Sequence, residues 1–223
     1  GISIDGSNVT IGAMTTQHEL ISNDALANVA PIIREASLQI ADPQVRYLGT
    51  IGGNVANGDP ANDMPGLMQT LDATYHLAGP GGARTVPARD FYEAAYFTAR
   101  EEDEILTGIS FTASGGGYAY EKQKRKIGDY ATAAAGVLLT MEGGSCTAAS
   151  VALTNLSDTP VYCADAVDAL VGSSVDDATV KAAVTAAVDA SDPVADTRGP
   201  VDFKKYVAGV IVKKAIKSAR ARA

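Results

Sequence analysis

Between Leu48 and Pro65 the chain reads Leu-Gly-Thr-Ile-Gly-Gly-Asn-Val-Ala-Asn-Gly-Asp-Pro-Ala-Asn-Asp-Met-Pro, and no other stretch restricts the fold as strongly. Glycine, asparagine and aspartate at this density oppose a regular helix, so Leu48 to Pro60 is expected to be a shaped loop. Asp63 then precedes Met64, Pro65 and the apolar run Leu67, Met68 and Leu71, which places it at or near the N-cap of a helix. The adjacent Gly52 and Gly53 let backbone N–H groups approach a ligand with no Cβ in between, and successive amides in such a turn make a nest for an anion or carbonyl. The spacing is neither GxGxxG nor GxxxxGK[ST], which excludes the dinucleotide fingerprint and the P-loop. Taken alone, a glycine pair is more often a structural turn than a ligand nest.

The elements around this loop follow from turn and cap chemistry. Ile2-Ser3-Ile4 and Val9-Thr10-Ile11 flank Asp5-Gly6, a hairpin signal. Thr16 with Glu19 is a capping box, and Pro31 suits the first turn of a helix through Ile32, Ile33, Ala36 and Ile40, so two helices are expected after the hairpin. Strands are predicted at Ala73 to Ala78, Arg84 to Val86, Glu104 to Phe111 and Gly117 to Glu121, with one helix over Asp90 to Thr98. Beyond Asp129 the composition turns to alanine and valine, with strands at Ala135 to Met141 and Ala148 to Leu153 around Gly143-Gly144. Helices are expected over Tyr162 to Leu170, Asp177 to Ala190 and Asp202 to Ala221. The last would bury Tyr206, Val210, Val212 and Ile216, and turn Lys204, Lys205, Lys213, Lys214, Lys217, Arg220 and Arg222 to solvent. A domain boundary is expected near Gly115, dividing the chain into 1–114 and 115–223.

The bulk composition narrows the function. In 223 residues, 18 Lys and Arg face 26 Asp and Glu, and a formal charge of −8 opposes a general binder of phosphate backbones. No apolar run long enough to span a bilayer and no basic leader with an apolar core is visible, so the chain reads as cytoplasmic, at most peripheral to the inner face of a membrane. Cys146 and Cys163 lack CxxC spacing and nearby histidines, and are expected to be reduced thiols with no metal site. His18 and His76 have no nucleophile or ligand at useful spacing, so triad chemistry is not expected.

The string Leu48-Gly49-Thr50-Ile51-Gly52-Gly53-Asn54, followed by Asp59-Pro60-Ala61-Asn62-Asp63-Met64-Pro65, resembles the second FAD-binding motif of the molybdenum hydroxylase flavoproteins. The resemblance continues through Ile11 to Thr16, Glu104-Ile105-Leu106, Tyr120-Glu121-Lys122 and Asp129-Tyr130-Ala131. It ends in Asp192-Pro193, Asp196-Thr197-Arg198-Gly199 and Tyr206, which resemble the C-terminal domain of the same family. Nearly the whole chain is covered, and the medium subunits of the aerobic carbon monoxide dehydrogenase branch look most similar.

This resemblance implies an α+β fold: an FAD-binding domain of the vanillyl-alcohol-oxidase type, an antiparallel sheet with helices, followed by a small α+β domain. It implies that Thr50, Ile51, Gly52, Gly53 and Asn54 cradle FAD through amides and polar side chains, that Asp63 accepts from cofactor hydroxyls, and that Leu106 packs on the isoalloxazine ring. Lys122, with Lys124 in reserve, would stand near the pyrimidine edge, where a positive charge favours the reduced anionic flavin. The residues themselves leave other readings open: Asp63 as a plain N-cap, Leu106 as strand core, Lys122 and Lys124 as solvated charges.

By the same resemblance the chain is an electron-transferring oxidoreductase subunit with no catalytic residue for the substrate step. A large partner would hold the molybdenum cofactor, a small partner the [2Fe-2S] clusters, and FAD would pass electrons to an external acceptor. The family's first, glycine-rich FAD motif precedes the opening hairpin and is not in this sequence; truncation is the favoured expectation. The rival expectation is a non-catalytic assembly subunit that has lost flavin.

Overall fold

The computed structural model describes residues 1–223. Strands β1 (Ile2–Asp5) and β2 (Asn8–Gly12) form the expected hairpin, with Gly6 at a φ of 60° that suits a residue without Cβ. Four short helices follow where two were expected: α1 (Gln17–Ser22), α2 (Asp24–Val29), α3 (Pro31–Ser37) and α4 (Pro43–Leu48). Each break has a local cause. The side chains of Thr16, Asn23 and Asp42 accept from the N–H groups of Glu19, Leu26 and Val45, and Pro31 and Pro43 open the helices they begin.

Helices α5 (Ile51–Ala56) and α6 (Asp63–Thr70) come next, then strands β3 (Thr74–Gly79) and β4 (Gly82–Pro87). The helix expected over Asp90 to Thr98 is instead a 3-10 turn at Ala88–Asp90 and a hairpin of β5 (Tyr92–Ala94) and β6 (Phe97–Thr98). Tertiary anchors override the helix there. Phe91 packs edge-on to Tyr75, the Tyr92 hydroxyl lies 2.9 Å from that of Tyr75, and Tyr96 N–H donates to Gly58 C=O. Strand β7 (Ile105–Thr112) then enters the middle of a five-stranded antiparallel sheet in the order β1-β2-β7-β3-β4.

Strands β8 (Gly117–Gln123), β9 (Ala133–Glu142), β10 (Ser145–Thr154) and β11 (Val161–Tyr162) build a second antiparallel sheet, ordered β11-β10-β9-β8. Helices α7 (Ala164–Leu170), α8 (Asp177–Asp189) and α9 (Val201–Ala221) complete this half, and α9 packs along β8 and β9. The architecture is the α+β arrangement of two antiparallel sheets with helices.

In α9 the buried stripe is Lys204, Val207, Ala208, Ile211, Val212, Ala215, Ile216 and Ala219, while Tyr206 is 72% and Val210 49% exposed. Two of the four expected core positions of this helix are therefore corrected, and so is the solvated place expected for Lys204. Its ammonium donates to Asp196 Oδ2 and Val194 C=O, both at 2.9 Å, and so ties the start of α9 to the preceding turn.

Two apolar cores lie side by side, one around Ile11, Ile33, Leu67, Tyr75 and Ile109, the other around Val137, Val151, Leu170, Ile211 and Ile216. Helix α6 is the wedge between them. It belongs to the first core yet lies against β9 and β10, with Gly66 facing Thr154 and Gly136 facing Thr70 so closely that neither glycine leaves room for a Cβ.

Candidate functional site

The Thr50–Asn54 segment is not the shaped loop expected of it but the start of a helix. Thr50 is an N-cap with extended backbone, and its Oγ1 accepts from Gly53 N–H at 3.0 Å to start α5. The other amides of that first turn are also engaged: Ile51 N–H donates to Thr15 C=O, Gly52 N–H to Ala13 C=O and Asn54 N–H to Thr50 C=O. An amide nest over residues 51–54 is thereby corrected, because each donor already has an acceptor within the chain.

The two glycines serve different ends. A Cβ on Gly52 would lie 2.5 Å from Ala13 Cβ and 2.6 Å from Ala13 C=O, so Gly52 permits the close approach of α5 to the end of β2. Gly53 is exposed, and a Cβ there would meet only Thr50 Oγ1, at 3.0 Å. Its bare backbone therefore borders open space. Ile51 is fully buried in the first core, and Leu106 is half-buried on β7 opposite Leu77, packed against that core.

Asn54 links the helices. Its side-chain oxygen accepts from Met64 N–H at 3.2 Å, and its backbone carbonyl accepts from the Asn62 side chain at 2.9 Å. Asn62, not Asp63, is the N-cap of α6; Asp63 is the first helical residue. This frees its carboxylate for another task. Oδ1 accepts from the Tyr120 hydroxyl and Oδ2 from the Lys122 ammonium, each at 2.7 Å. The Asp63 and Lys122 side chains are 5% and 1% exposed, so the solvated reading of Lys122 is also corrected. Lys122 further donates to Gln39 C=O at 3.2 Å.

Electrostatics explain the grouping. Burial pushes the Asp63 carboxyl above its ordinary pKa, and Lys122 and Tyr120 oppose that shift by favouring the ionised form. Lys124 is displaced below the usual lysine range, first by burial and then by the like charge of Lys122. Tyr120 and Lys122 meet Asp63 together because residues two apart on a strand share a face. That period was the available signal for Tyr120, whose role sequence reasoning missed.

Asn54, Asn62, Asp63, Lys122 and Asp129 are the polar lining of a cleft of about 260 Å³, with Ile40, Val45 and Tyr130 also lining it. Thr50, Ile51, Gly52, Gly53 and Leu106 do not line it. The donors and acceptors fit the hydroxyl-bearing part of FAD: a carboxylate to accept, and two amide side chains and an ammonium on the same wall.

Comparison with known proteins identifies the family. Residues 1–112 match the family described as the FAD binding domain in molybdopterin dehydrogenase, and residues 118–219 the CO dehydrogenase flavoprotein C-terminal domain. The chain is 56% identical to the carbon monoxide dehydrogenase medium chain of Afipia carboxidovorans, over 100% of this chain and 78% of that one. It is 42% identical to the corresponding medium chain of Hydrogenophaga pseudoflava, over 100% of this chain and 78% of that one. The solved structure of reconstituted CO dehydrogenase from Oligotropha carboxidovorans superposes with a TM-score of 0.98 at 56% identity, covering 100% of this chain and 79% of that one. The chain belongs to the flavoprotein family of the molybdopterin dehydrogenases, an FAD-binding domain joined to a C-terminal domain of the CO dehydrogenase flavoprotein type.

Proposed function

We propose that this chain is the FAD-carrying electron-transfer subunit of a cytoplasmic heteromeric molybdenum hydroxylase. Its partners in this reading are a large subunit with the molybdenum cofactor, which oxidises the substrate, and a small subunit with [2Fe-2S] clusters. FAD, when bound, takes up electrons from a one-electron carrier and delivers them to an external acceptor. The chain's own residues bind and orient it. Asp63 accepts from cofactor hydroxyls, Asn54 and Asn62 supply further polar contacts, and Lys122 places a positive charge at the same wall. Gly53 offers backbone unobstructed by a side chain, Thr50, Ile51 and Gly52 hold that backbone in place, and Leu106 supplies apolar surface toward the ring. The functional halves in this reading are residues 1–114 and 115–223.

The observation that carries the proposal is the buried Asp63–Lys122 pair at the wall of the cleft, one partner from each sheet's half. Structural ion pairs of this burial gain little net stability over apolar packing, so a binding role accounts for it better. The test is rapid-mixing reduction of the assembled complex by substrate, with flavin absorbance followed alongside the iron–sulfur bands. Flavin reduction in step with turnover is expected. A flavin that stays oxidised while the other centres are reduced would refute the relay.

A further inference from the structure

Tyr120 is 1% exposed, and its hydroxyl lies 2.7 Å from Oδ1 of Asp63. A buried phenol in an apolar core costs free energy unless its O–H has a partner, and here the Asp63 carboxylate is that partner. The backbone of the same residue is held as tightly as its side chain. Tyr120 N–H donates to Glu35 Oε1 at 2.8 Å, and Tyr120 C=O accepts from the Gln39 side chain at 3.1 Å. Glu35 in turn accepts from Arg222 near the chain's end. Helix α3 and the turn after it thus clamp β8, and β8 delivers the hydroxyl to α6. The Asp63 carboxylate is gripped on one oxygen by Tyr120 and on the other by Lys122, two residues from the second half fixing one from the first.

We propose that Tyr120 is a positioning residue of the cofactor site: its hydroxyl, reaching across the seam between the two halves, orients the Asp63 carboxylate for the hydroxyls of FAD and keeps it in its accepting form. The inference rests on the reading of Asp63 as a cofactor acceptor. A carboxylate has lone pairs to spare after accepting one bond on each oxygen, so Asp63 retains acceptor capacity for a ligand in the cleft it lines. The ionisable groups around it are Tyr120, Lys122 and Lys124 of β8 and the turn that follows, together with Asp129, which also lines the cleft and is bonded to Arg125. Of these, Tyr120 and Lys122 touch the carboxylate.

The test is FAD affinity measured by fluorescence quenching across about pH 5 to 9 in the purified protein, its Tyr120→Phe variant and its Asp63→Asn variant. Loss of the hydroxyl removes a bond that favours the ionised carboxylate, so the pH at which binding is lost on acidification must rise in Tyr120→Phe. Affinity on the alkaline side should fall about 2- to 10-fold, the cost of one hydrogen bond. A Tyr120→Phe profile with the parent's pH midpoint would overturn the positioning role, whatever happened to stability. Asp63→Asn separates this from the underlying site: it should bind weakly and without the acid limb. Parental affinity and pH profile in Asp63→Asn would remove Asp63 from the cofactor site altogether. If Tyr120→Phe does not fold, 3-fluorotyrosine placed at position 120 alone supplies a stronger donor and must move the midpoint down; an unmoved midpoint overturns the proposal.

Discussion

Gly52 and Gly53 are adjacent in sequence, yet the structure assigns them opposite sensitivities. In Gly52→Ala the new methyl would sit 2.5 Å from Ala13 Cβ, 2.6 Å from Ala13 C=O and 2.8 Å from Ala13 Cα. Two of those three atoms are backbone and the third is fixed to it, so relief requires α5 to move away from the end of β2 and stretches the Gly52 N–H bond to Ala13 C=O. Overpacking of this kind costs about 1–3 kcal/mol. Alanine's better helix propensity returns at most about 1 kcal/mol. For a chain of this length each kcal/mol corresponds to about 2–4 °C, so the melting temperature should fall by up to roughly 10 °C. In Gly53→Ala the methyl meets only Thr50 Oγ1 at 3.0 Å, an atom that can give by a few tenths of an ångström. Here the propensity gain of about 1 kcal/mol is opposed by little, and the melting temperature should hold or rise. The assay is circular dichroism melting of the flavin-free protein, followed by FAD titration. Gly52→Ala should lose stability, whereas Gly53→Ala should keep its fold and bind FAD less tightly. Equal shifts of melting temperature in both variants, or a Gly52→Ala more stable than Gly53→Ala, would refute the close-approach reasoning.

Three further outcomes follow from individual side chains. Asp63→Ala should weaken FAD binding by about 1–3 kcal/mol, because it leaves cofactor donors unpaired; unchanged affinity in a quenching titration would return Asp63 to a structural role. Glu104 is held at a pKa of about 2 by Arg84, which bonds both its oxygens at 2.6 and 2.7 Å, and by Glu101 N–H. A depressed carboxylate contributes stability above its ordinary value of 4.5 and loses that contribution as pH falls toward 2. The stability deficit of Glu104→Gln in urea unfolding should therefore shrink over that interval, and a deficit independent of pH would exclude the assignment. Burial pushes the Cys163 thiol up to about 12, so it should resist a disulfide reagent in the native chain and react fully after unfolding; native reactivity at the rate of a free thiol would contradict its packing.

The features legible in the sequence are local ones. The turn at Asp5-Gly6, the capping box of Thr16 and Glu19, the proline start of α3 and the Gly143-Gly144 turn all involve residues within a few positions of one another, so their energetics are written in adjacent side chains. The family motif around Gly52 and Gly53 is equally visible, because it is a contiguous string. The backbone of that string is not. Glycine and asparagine argue against a helix, and α5 forms because Thr50 caps it and because carbonyls of Ala13 and Thr15, far back in the chain, accept its first amides. The segment from Asp90 to Thr98 goes the other way, from expected helix to hairpin, through contacts with Tyr75, Val55 and Gly58.

The lysines show the same division from the side of charge. Seven basic residues toward the end of the chain and the run Lys122 to Lys126 read as solvated by composition, and for most of them nothing in the sequence says otherwise. The Lys204 and Lys122 side chains are each 1% exposed because a carboxylate distant in sequence, or offset beyond the helix start, arrives to pair with them. Most element types, the family and the residues worth testing can be read from the chain's linear order, since these depend on short-range propensity and contiguous motifs. Only packing settles which carboxylate meets which ammonium, that the amides of α5 are spent, and that the polar wall of the cleft joins two halves of the chain. Those outcomes depend on burial, and burial is a property of the packed whole rather than of any residue's neighbours in sequence.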